Sequence, residues 1–428
     1  MNPDILARLR VTAANPIRWM VVGKLLDSRN RCVLTNAHLV YNQTQILHVG
    51  TAAPAAAIAF GQATPDLTLA DYTALPGLIE GHSHTFLEGA ELAAEVRGDY
   101  QKQDPGILYE KAAARLHTLA RMGIIAMRDG GDKDHVGLRL SKDTAGDSCA
   151  AFTARVFSPG AGIYRQGRYG GFFGEPVEAH ASIASCVQAR VAEGADHIKI
   201  VPTGIINFAK GEVVAKPQFS VEEIQQFRQA AHSQHRHLMA HASGDVGVGY
   251  AIEGGVDTLE HGFFITDDQL ARMRDNDIAW VPTFTPVQEQ VDHADIMGWS
   301  GHTLDNLRRI LENHARSLQK ALALGVTVLV GSDSGSCGVA HGCGLLYEME
   351  LLENAGMPTL DILCQVTHGN NLRLTGNQAY GALAAGFKPR FILTQSDPCL
   401  TVGNLQHERL VVFDGMAESS ASVCLENL

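Results

Sequence analysis

The sequence predicts an α/β protein, a (β/α)8 TIM barrel joined to a small β-sandwich domain built from both chain termini. Two patterns predict it. Between about residues 74 and 365, eight short apolar runs that fit buried strands alternate with amphipathic stretches of helical length, an alternation that places parallel strands inside a ring of helices. Outside that core the texture changes to β-branched, period-two runs (RWMVVGKLL, RCVLTNAHLVY and TQILHVG before it, RFILT and RLVVFDG after it) separated by turn residues, which reads as antiparallel strands. The two ends of a barrel lie near each other, so residues 1–73 and 386–428 are expected to form one composite β domain and residues 74–385 the barrel.

In chain order the expected strands are 74–84 (ALPGLIEGHSH), 124–129 (IIAMRD), 154–159 (ARVFSP), 197–203 (HIKIVPT), 237–242 (HLMAHA), 257–262 (DTLEHG), 278–284 (IAWVPTF) and 327–333 (TVLVGSD). Their apolar content suits strands covered on both faces. Helices are expected at 106–122, 183–193, 221–234, 267–276 and 304–324, several closed by a glycine where a left-handed residue ends a helix.

Hydrophobic residues make up 45% of the 428 and charged residues 19%, the mix of a chain that folds throughout. Lys and Arg number 34 against 46 Asp and Glu, a net charge of -12, so no nucleic-acid partner is expected. No run approaches the roughly 18 consecutive apolar residues of a membrane span, and the start lacks the pattern of a secretion signal; the expected location is the cytoplasm. Eight cysteines (Cys32, Cys149, Cys186, Cys337, Cys343, Cys364, Cys399, Cys424) form no CxxC pair and read as reduced, mostly buried small hydrophobes.

Polar residues stand at the ends of the expected strands, on the rim where barrel enzymes build their sites. His82 and His84 close the first strand as His-Ser-His; side chains two apart on a strand share a face, so both can reach one metal ion. Lys199 lies within HIKIVPT, where a cation is costly to bury. Two solutions stand open. One is a pair with a carboxylate such as Asp129; the other is a depressed pKa and reaction of the neutral amine with carbon dioxide, giving a carbamate that bridges two metals. His241 ends the fifth strand (LMAHASG), His261 the sixth (DTLEHG) and Asp333 the eighth (VLVGSDSG), each among small residues. One histidine on an apolar strand is ordinarily a hydrogen-bonded core residue, but four histidines, a lysine and an aspartate on one rim point to metal.

The segments PGLIEGHSH, HIKIVPTG, AHASG, GVDTLEHG and VGSDSG together resemble the amidohydrolase superfamily of metal-dependent hydrolases over nearly the whole chain. GVDTLEHGFFITDDQL, VPTF, QFSVEEI and HGCGLLYEMELLENAGM resemble its imidazolonepropionase-like and prolidase-like branch, which includes dipeptidases and carboxypeptidases acting on Xaa-Arg or Xaa-Pro substrates. The resemblance implies a binuclear centre with two zinc ions, His82, His84 and Asp333 on one, His241 and His261 on the other, and carboxylated Lys199 between them; zinc suits such ligands. It also implies attack by a metal-bridging hydroxide, with Asp333 taking its proton and passing it to the leaving amine. The activity implied is cleavage of an amide bond in a small molecule such as a dipeptide or N-acyl amino acid, with opening of a cyclic amide or lactone as the alternative. A deaminase relative would carry a glutamate where Gly244 stands and would lack the lysine, and a non-catalytic scaffold would have lost ligands. A homo-oligomer acting on a small molecule, away from membranes, is expected.

The loop GAGIYRQGRYGGFFGEP sets Tyr164, Arg165, Arg168 and Tyr169 among glycines, an arrangement able to close over a substrate and hold a carboxylate in a guanidinium fork, and equally able to cover the barrel mouth or meet another subunit. His341, in GVAHGCG, is a further candidate for substrate contact, and the flanking Cys337 and Cys343 read as loop packing. Arg128 and Asp129 read as a mutual ion bridge, and His232, His235 and His237 as solvated or structural. A TGGHGD-like run, expected of the prolidase-like branch, is missing.

Overall fold

The computed structural model describes residues 3–59, 61–146, 152–376 and 379–420. The period-two runs at the N-terminal end form β1 (Arg18–Asp27), β2 (Cys32–Tyr41), β3 (Ile46–Gly50) and β4 (Leu67–Pro76). β1 and β2 are an antiparallel hairpin in register from Arg18↔Tyr41 to Asp27↔Cys32, and β4 runs parallel to β1.

The apolar runs that follow form β5 (Leu78–Ser83), β6 (Ile124–Asp129), β7 (Arg155–Phe157), β8 (Gly162–Tyr164), β9 (Gly174–Pro176), β10 (Ile198–Ile200), β11 (Leu238–Ala242), β12 (Thr258–His261) and β13 (Ala279–Val281). They make two parallel sheets, ordered β5-β6-β7 and β13-β12-β11-β10-β8-β9. Residues 327–334 join the two: Val328 bridges Trp280 of β13, and Ser334 bridges Ser83 of β5. Backbone N–H groups of Leu329, Gly81 and Asp333 donate to the carbonyls of Trp280 (2.8 Å), Val330 (3.0 Å) and His82 (2.7 Å) across these seams. On the other side, the chain passes from β7 through residues 158–161 into β8, which pairs with β10.

Three strands then return to the first sheet: β14 (Arg390–Thr394), β15 (Arg409–Phe413) and β16 (Met416–Ser420). The sheet order is β16-β15-β14-β4-β1-β2-β3, and β14 pairs antiparallel with β4 from Phe391↔Pro76 to Thr394↔Thr73. The ladder through β4 and β14 is therefore continuous, and both ends of the chain share one seven-stranded sheet where the sequence suggested two layers. Met20, Val22, Leu39, Phe391, Leu393 and Val412 are buried beneath it, each worth roughly 1.5–3 kcal/mol of apolar burial.

Three further expectations need correction. The run 74–84 is two strands, because at Gly77 the chain leaves one sheet for another: Gly77 N–H donates to Arg390 O in the first, and Leu78 N–H to Gly123 O beside the second. The third run breaks after Phe157, where Pro159 and the left-handed Gly160 (φ 69°) turn the chain before β8. The eighth run keeps only isolated bridges, and Asp333 at φ 57° ends its extended path.

The expected helices form at Pro105–Arg121, Ile183–Glu193, Val221–Ser233, Asp267–Asp275 and Gly301–Leu324. Ser220 with Glu223 and Thr266 with Gln269 close capping boxes at two N-termini, and left-handed Gly194 and Gly325 end two others. Helix Asp245–Gly254 escaped the sequence reading because three glycines lower its propensity, while burial of Val248, Ala251 and Ile252 overrides them. Cys32, Cys186, Cys337, Cys364 and Cys399 are free thiols, but Cys343 is disulfide-bonded, correcting its reading as a reduced packing residue; Cys149 and Cys424 lie outside the described residues. Among the described residues no helix is long and apolar enough to cross a membrane.

Gly81 sits where β5 meets residues 327–334, and a Cβ there would stand 2.3 Å from the Val330 carbonyl oxygen. That oxygen is held in the pairing itself, so Gly81→Ala is expected to destabilise the fold by about 1–3 kcal/mol. A thermal melt checks it: an unchanged midpoint would mean that the seam yields without cost.

Candidate metal centre

β5 presents His82 and runs into His84; β10 carries Lys199 at its centre, β11 carries His241, β12 ends on His261, and Asp333 follows Val330 on the joining segment. The structure gathers these six side chains. His82 Nε2 and His84 Nε2 lie 3.5 and 3.7 Å from Asp333 Oδ1, and one ligand atom from each of the three falls within 4.8 Å of the others. The His261 ring centre is 5.1 Å from that of His82 and 4.5 Å from that of His241. Lys199 shares a cavity wall with His84, His241, His261 and Asp333.

Four polar atoms here are buried with no hydrogen-bond partner among the described residues: His82 Nε2, His241 Nε2, Lys199 Nζ and Asp333 Oδ1. Each such orphan costs about 1–3 kcal/mol, and imidazole nitrogens with carboxylate oxygens are the donor set of divalent cations such as zinc. His82, His84 and Asp333 fit a divalent metal ion. Lys199 Nζ makes no hydrogen bond to Asp129, so that pairing is not adopted. Asp129 instead accepts from the Thr85 and Gly131 backbone N–H groups (2.9 and 3.2 Å) and from Ser158 Oγ (2.9 Å).

Burial sets the protonation states. It drives His84 and His241 down to about 3, the nearby Lys199 charge adding to the effect, while backbone hydrogen bonds with Gly131 and Gly204 work against it. His82 and His261 are held well below their ordinary value, again by burial first. Neutral imidazoles are the form that ligates metal. Burial also pushes the Lys199 ammonium down, against the pull of Glu260, and raises the Asp333 carboxyl, against its bond from Ser336.

A second layer orients the ligands. His82 Nδ1–H donates to Glu260 Oε2 (2.7 Å), His84 Nδ1–H to Gly131 O (3.2 Å), and His261 Nδ1–H to Thr283 Oγ1 (2.7 Å), whose hydroxyl donates to Pro282 O. Committing each Nδ1 leaves each Nε2 lone pair for a metal. Glu260 is clamped in turn by Arg128 Nη2 at 2.7 Å to both oxygens and by Thr258 Oγ1 at 2.5 Å. Arg128 is thus paired with Glu260, correcting the expected bridge to Asp129: neighbours on a strand face opposite ways. Glu80 accepts from His82 N–H, Ser332 N–H and Ser332 Oγ (3.0, 3.0 and 2.6 Å), tying β5 to the segment that carries Asp333. His261, Thr283 and Asp333 all have left-handed backbone, φ 67°, 51° and 57°, at roughly 1–3 kcal/mol each. Glu80, Glu260 and Thr283 were missed in the sequence; the available signal for the two acids was their place one or two residues before His82 and His261, in IEGH and LEHG.

Above the six residues opens a cavity of about 720 Å³ with a largely aromatic and aliphatic wall, including Tyr169, Phe172, Phe173, Phe208, Phe263 and Trp299. Of the residues singled out for substrate contact, Tyr169 lines it and the others do not. Arg165 is taken by Glu178 (3.2 Å), Glu223 (2.6 Å) and Gln218 O. Exposed Arg168 donates to Lys216 O, and Tyr164 packs against Gly170 and Gly171. His341 Nε2 meets Leu87 O at 2.8 Å, with Nδ1 3.4 Å from Ser83 Oγ. His232 pairs with Asp257 (2.9 Å), and His235 and His237 line a separate small cavity.

Comparison with known proteins decides the class: residues 73–418 match the Amidohydrolase family. The chain belongs to that family. Amidohydrolases are enzymes that hydrolyse carbon–nitrogen bonds, and this one is similar in sequence to an uncharacterized protein of Mycobacterium tuberculosis, 25% identical over 342 residues that cover 80% of this chain and 84% of that one. Ochratoxinase of Aspergillus niger is 25% identical over 232 residues, 54% of this amidohydrolase and 47% of the fungal enzyme. In fold it is similar to a Xaa-Pro dipeptidase with bound methionine in the active site, at TM-score 0.78 and 22% identity over 94% of this chain and 100% of that one. The A. niger ochratoxinase structure gives TM-score 0.75 at 20% identity, over 93% and 94%.

Removing Arg128 would leave the Glu260 carboxylate, fully buried with its side chain inaccessible, without its cation. Arg128→Met in this amidohydrolase is expected to cost about 3–5 kcal/mol, measured by urea unfolding. A loss under about 1 kcal/mol would mean that Thr258 and His82 alone satisfy the acid.

Proposed function

We propose that this amidohydrolase uses a binuclear metal centre to cleave an amide bond in a small molecule such as a dipeptide or N-acyl amino acid. One observation carries the reading: four buried donor atoms from β5, β10, β11 and residues 327–334 converge without protein partners. His82, His84 and Asp333 would hold one ion and His241 and His261 the other, with Lys199 between them as its carbamate. Carbon dioxide would add to the neutral amine, forming the N–C bond and releasing a proton, so that an anion able to ligate metal would replace a buried cation. Burial favours the neutral amine that this addition needs. Zinc is the metal proposed, on its affinity for such ligands.

Bound there, a pair of divalent ions supplies water acidified towards neutrality and polarisation of the scissile carbonyl. Everything else falls to the chain. The aromatic wall excludes bulk solvent from the reacting bond. Asp333 turns Oδ1 towards His82 and His84, where it would hold the ion, while Ser336 Oγ fixes Oδ2 at 2.9 Å; the oxygen not on the ion would accept the attacking water's proton and deliver it to the leaving amine nitrogen. Position 244, where a deaminase needs its glutamate, is a glycine at φ 82°, which supports hydrolysis over deamination. Hydrogen bonds from residues 327–334 to β13 and β5 support reading the strands as one closed (β/α)8 barrel, with residues 1–73 and 386–428 as the β domain beside it.

Metal content by plasma mass spectrometry, on protein purified without chelators, tests the centre. About two zinc ions per chain are expected for the wild type, and one or fewer for Lys199→Ala. A wild type that takes up at most one ion after zinc and bicarbonate are supplied would sink the binuclear reading. With amino-acid release from N-acyl amino acids as the assay, Asp333→Asn is expected to reduce kcat by roughly 10²- to 10⁴-fold; activity within threefold of wild type would remove Asp333 as the proton carrier.

A further inference from the structure

The sequence placed carboxylate recognition on Arg165 and Arg168, and the structure employs both elsewhere. A different arginine reaches the cavity. Arg97, on helix Ala94–Gln101, is the guanidinium in the cavity wall among the described residues, on the side that also carries Leu87, Asp333, Ser336 and Cys337.

Its hydrogen bonds leave a defined opening. Nη1 donates to Glu88 O at 2.8 Å and Glu91 O at 3.2 Å, and Nη2 to Gly335 O at 2.9 Å. Three of the five N–H donors of a guanidinium are thereby engaged by neutral carbonyls. The two left over are Nε–H and one N–H of Nη2, on adjacent nitrogens, and two adjacent N–H groups form the fork that accepts a carboxylate in bidentate fashion. No carboxylate among the described residues forms an ion pair with Arg97; its charge acts on the Asp333 carboxyl of the same wall only from beyond contact distance. The carbonyls hold the group rigidly, which lowers the entropy cost of binding to it.

The rest of the wall constrains the other end of the ligand. Asp333 is the acid lining the cavity, and it belongs to the metal centre. The remaining polar lining (Gln101, Asn207, Ser243, Gln290) is neutral, so no anion stands ready for a free ammonium, whereas Phe172, Phe173, Phe208, Phe263 and Trp299 offer a bulky apolar surface.

We infer that Arg97 is the residue that binds the substrate carboxylate, and that with the aromatic wall it selects an amino acid acylated by a bulky apolar group over a dipeptide with a free amino terminus. This rests on the amide-hydrolase reading above for its chemistry, but not for its binding.

The test separates the two. The zinc-loaded enzyme is titrated calorimetrically with the uncleavable ketomethylene isostere of N-benzoyl-L-phenylalanine and with the carboxamide of the same compound. The wild type is expected to bind the acid roughly 10- to 100-fold more tightly than the carboxamide. Arg97→Met is expected to abolish that ratio by weakening the acid roughly 10-fold or more beyond any effect on the carboxamide, and Arg97→Lys, which keeps the charge and loses the fork, to retain part of it. A wild-type ratio near one, or an Arg97→Met variant that weakens both compounds alike, overturns the assignment. Hydrolysis of N-benzoyl-L-phenylalanine is followed beside that of L-phenylalanyl-L-phenylalanine: faster cleavage of the dipeptide overturns the preference for an acylated amine. Discrimination of the isosteres with neither compound cleaved would sink the amide-hydrolase reading and leave the carboxylate site standing.

Discussion

Removal of water from the six rim residues is the constraint on which the rest depends. A histidine, lysine or aspartate in solution satisfies its polar atoms with water at no cost, whereas on β5, β10, β11 and residues 327–334 one such atom of each is sealed from solvent and denied a protein partner. Desolvation first, with neighbouring positive charges adding to it, keeps the imidazoles neutral at neutral pH and weakens the hold of Lys199 on its proton. The same sealing raises the worth of every charge in the cavity, because an interaction that water would screen acts there almost undiminished. A ligand set maintained against that cost is a set built for something that repays it.

The supporting layer shows how the fold bears the cost. Glu260 and Arg128 are buried charges themselves, stable because each satisfies the other and because Arg128 also donates to Gly81 O and Thr258 Oγ1. Their pairing runs from β6 to β12 through the interior, so the orientation of His82 is set by residues whose positions the strands fix. Glu80 does the same between β5 and residues 327–334. Left-handed backbone at His261, Thr283 and Asp333 is the local price of aiming side chains from strand ends into one small volume.

Legibility in the sequence follows the range of the interactions. His82, His84, Lys199, His241, His261 and Asp333 could be picked out because each is a polar residue in an apolar strand, an anomaly visible within a few letters. Glu260 is equally anomalous, but its neighbour His261 offered a simpler explanation of the same segment. The helices with capping boxes were readable, and Asp245–Gly254, held by burial rather than propensity, was not. Substrate contacts were the least readable of all. Arg165 and Arg168 stood in a suggestive glycine loop, yet Glu223, 58 residues away from Arg165, decides where one of them points, and Arg97 is positioned by three carbonyls, whose donors and acceptors are the same for every residue type.

Pairing of β4 with β14 has a temporal side. β4 leads directly into β5 and therefore into the histidines of the metal centre, yet its partner strand emerges from the ribosome about 300 residues later. At roughly 5–20 residues per second that is a wait of some 15–60 s, during which one flank of β4 lacks its neighbour and is open to the strands of other chains. The chain thus exposes a sticky edge longest beside the segment that matters most to its chemistry, and its yield in the cell should respond to anything that shields nascent strands more than to the strength of its finished core.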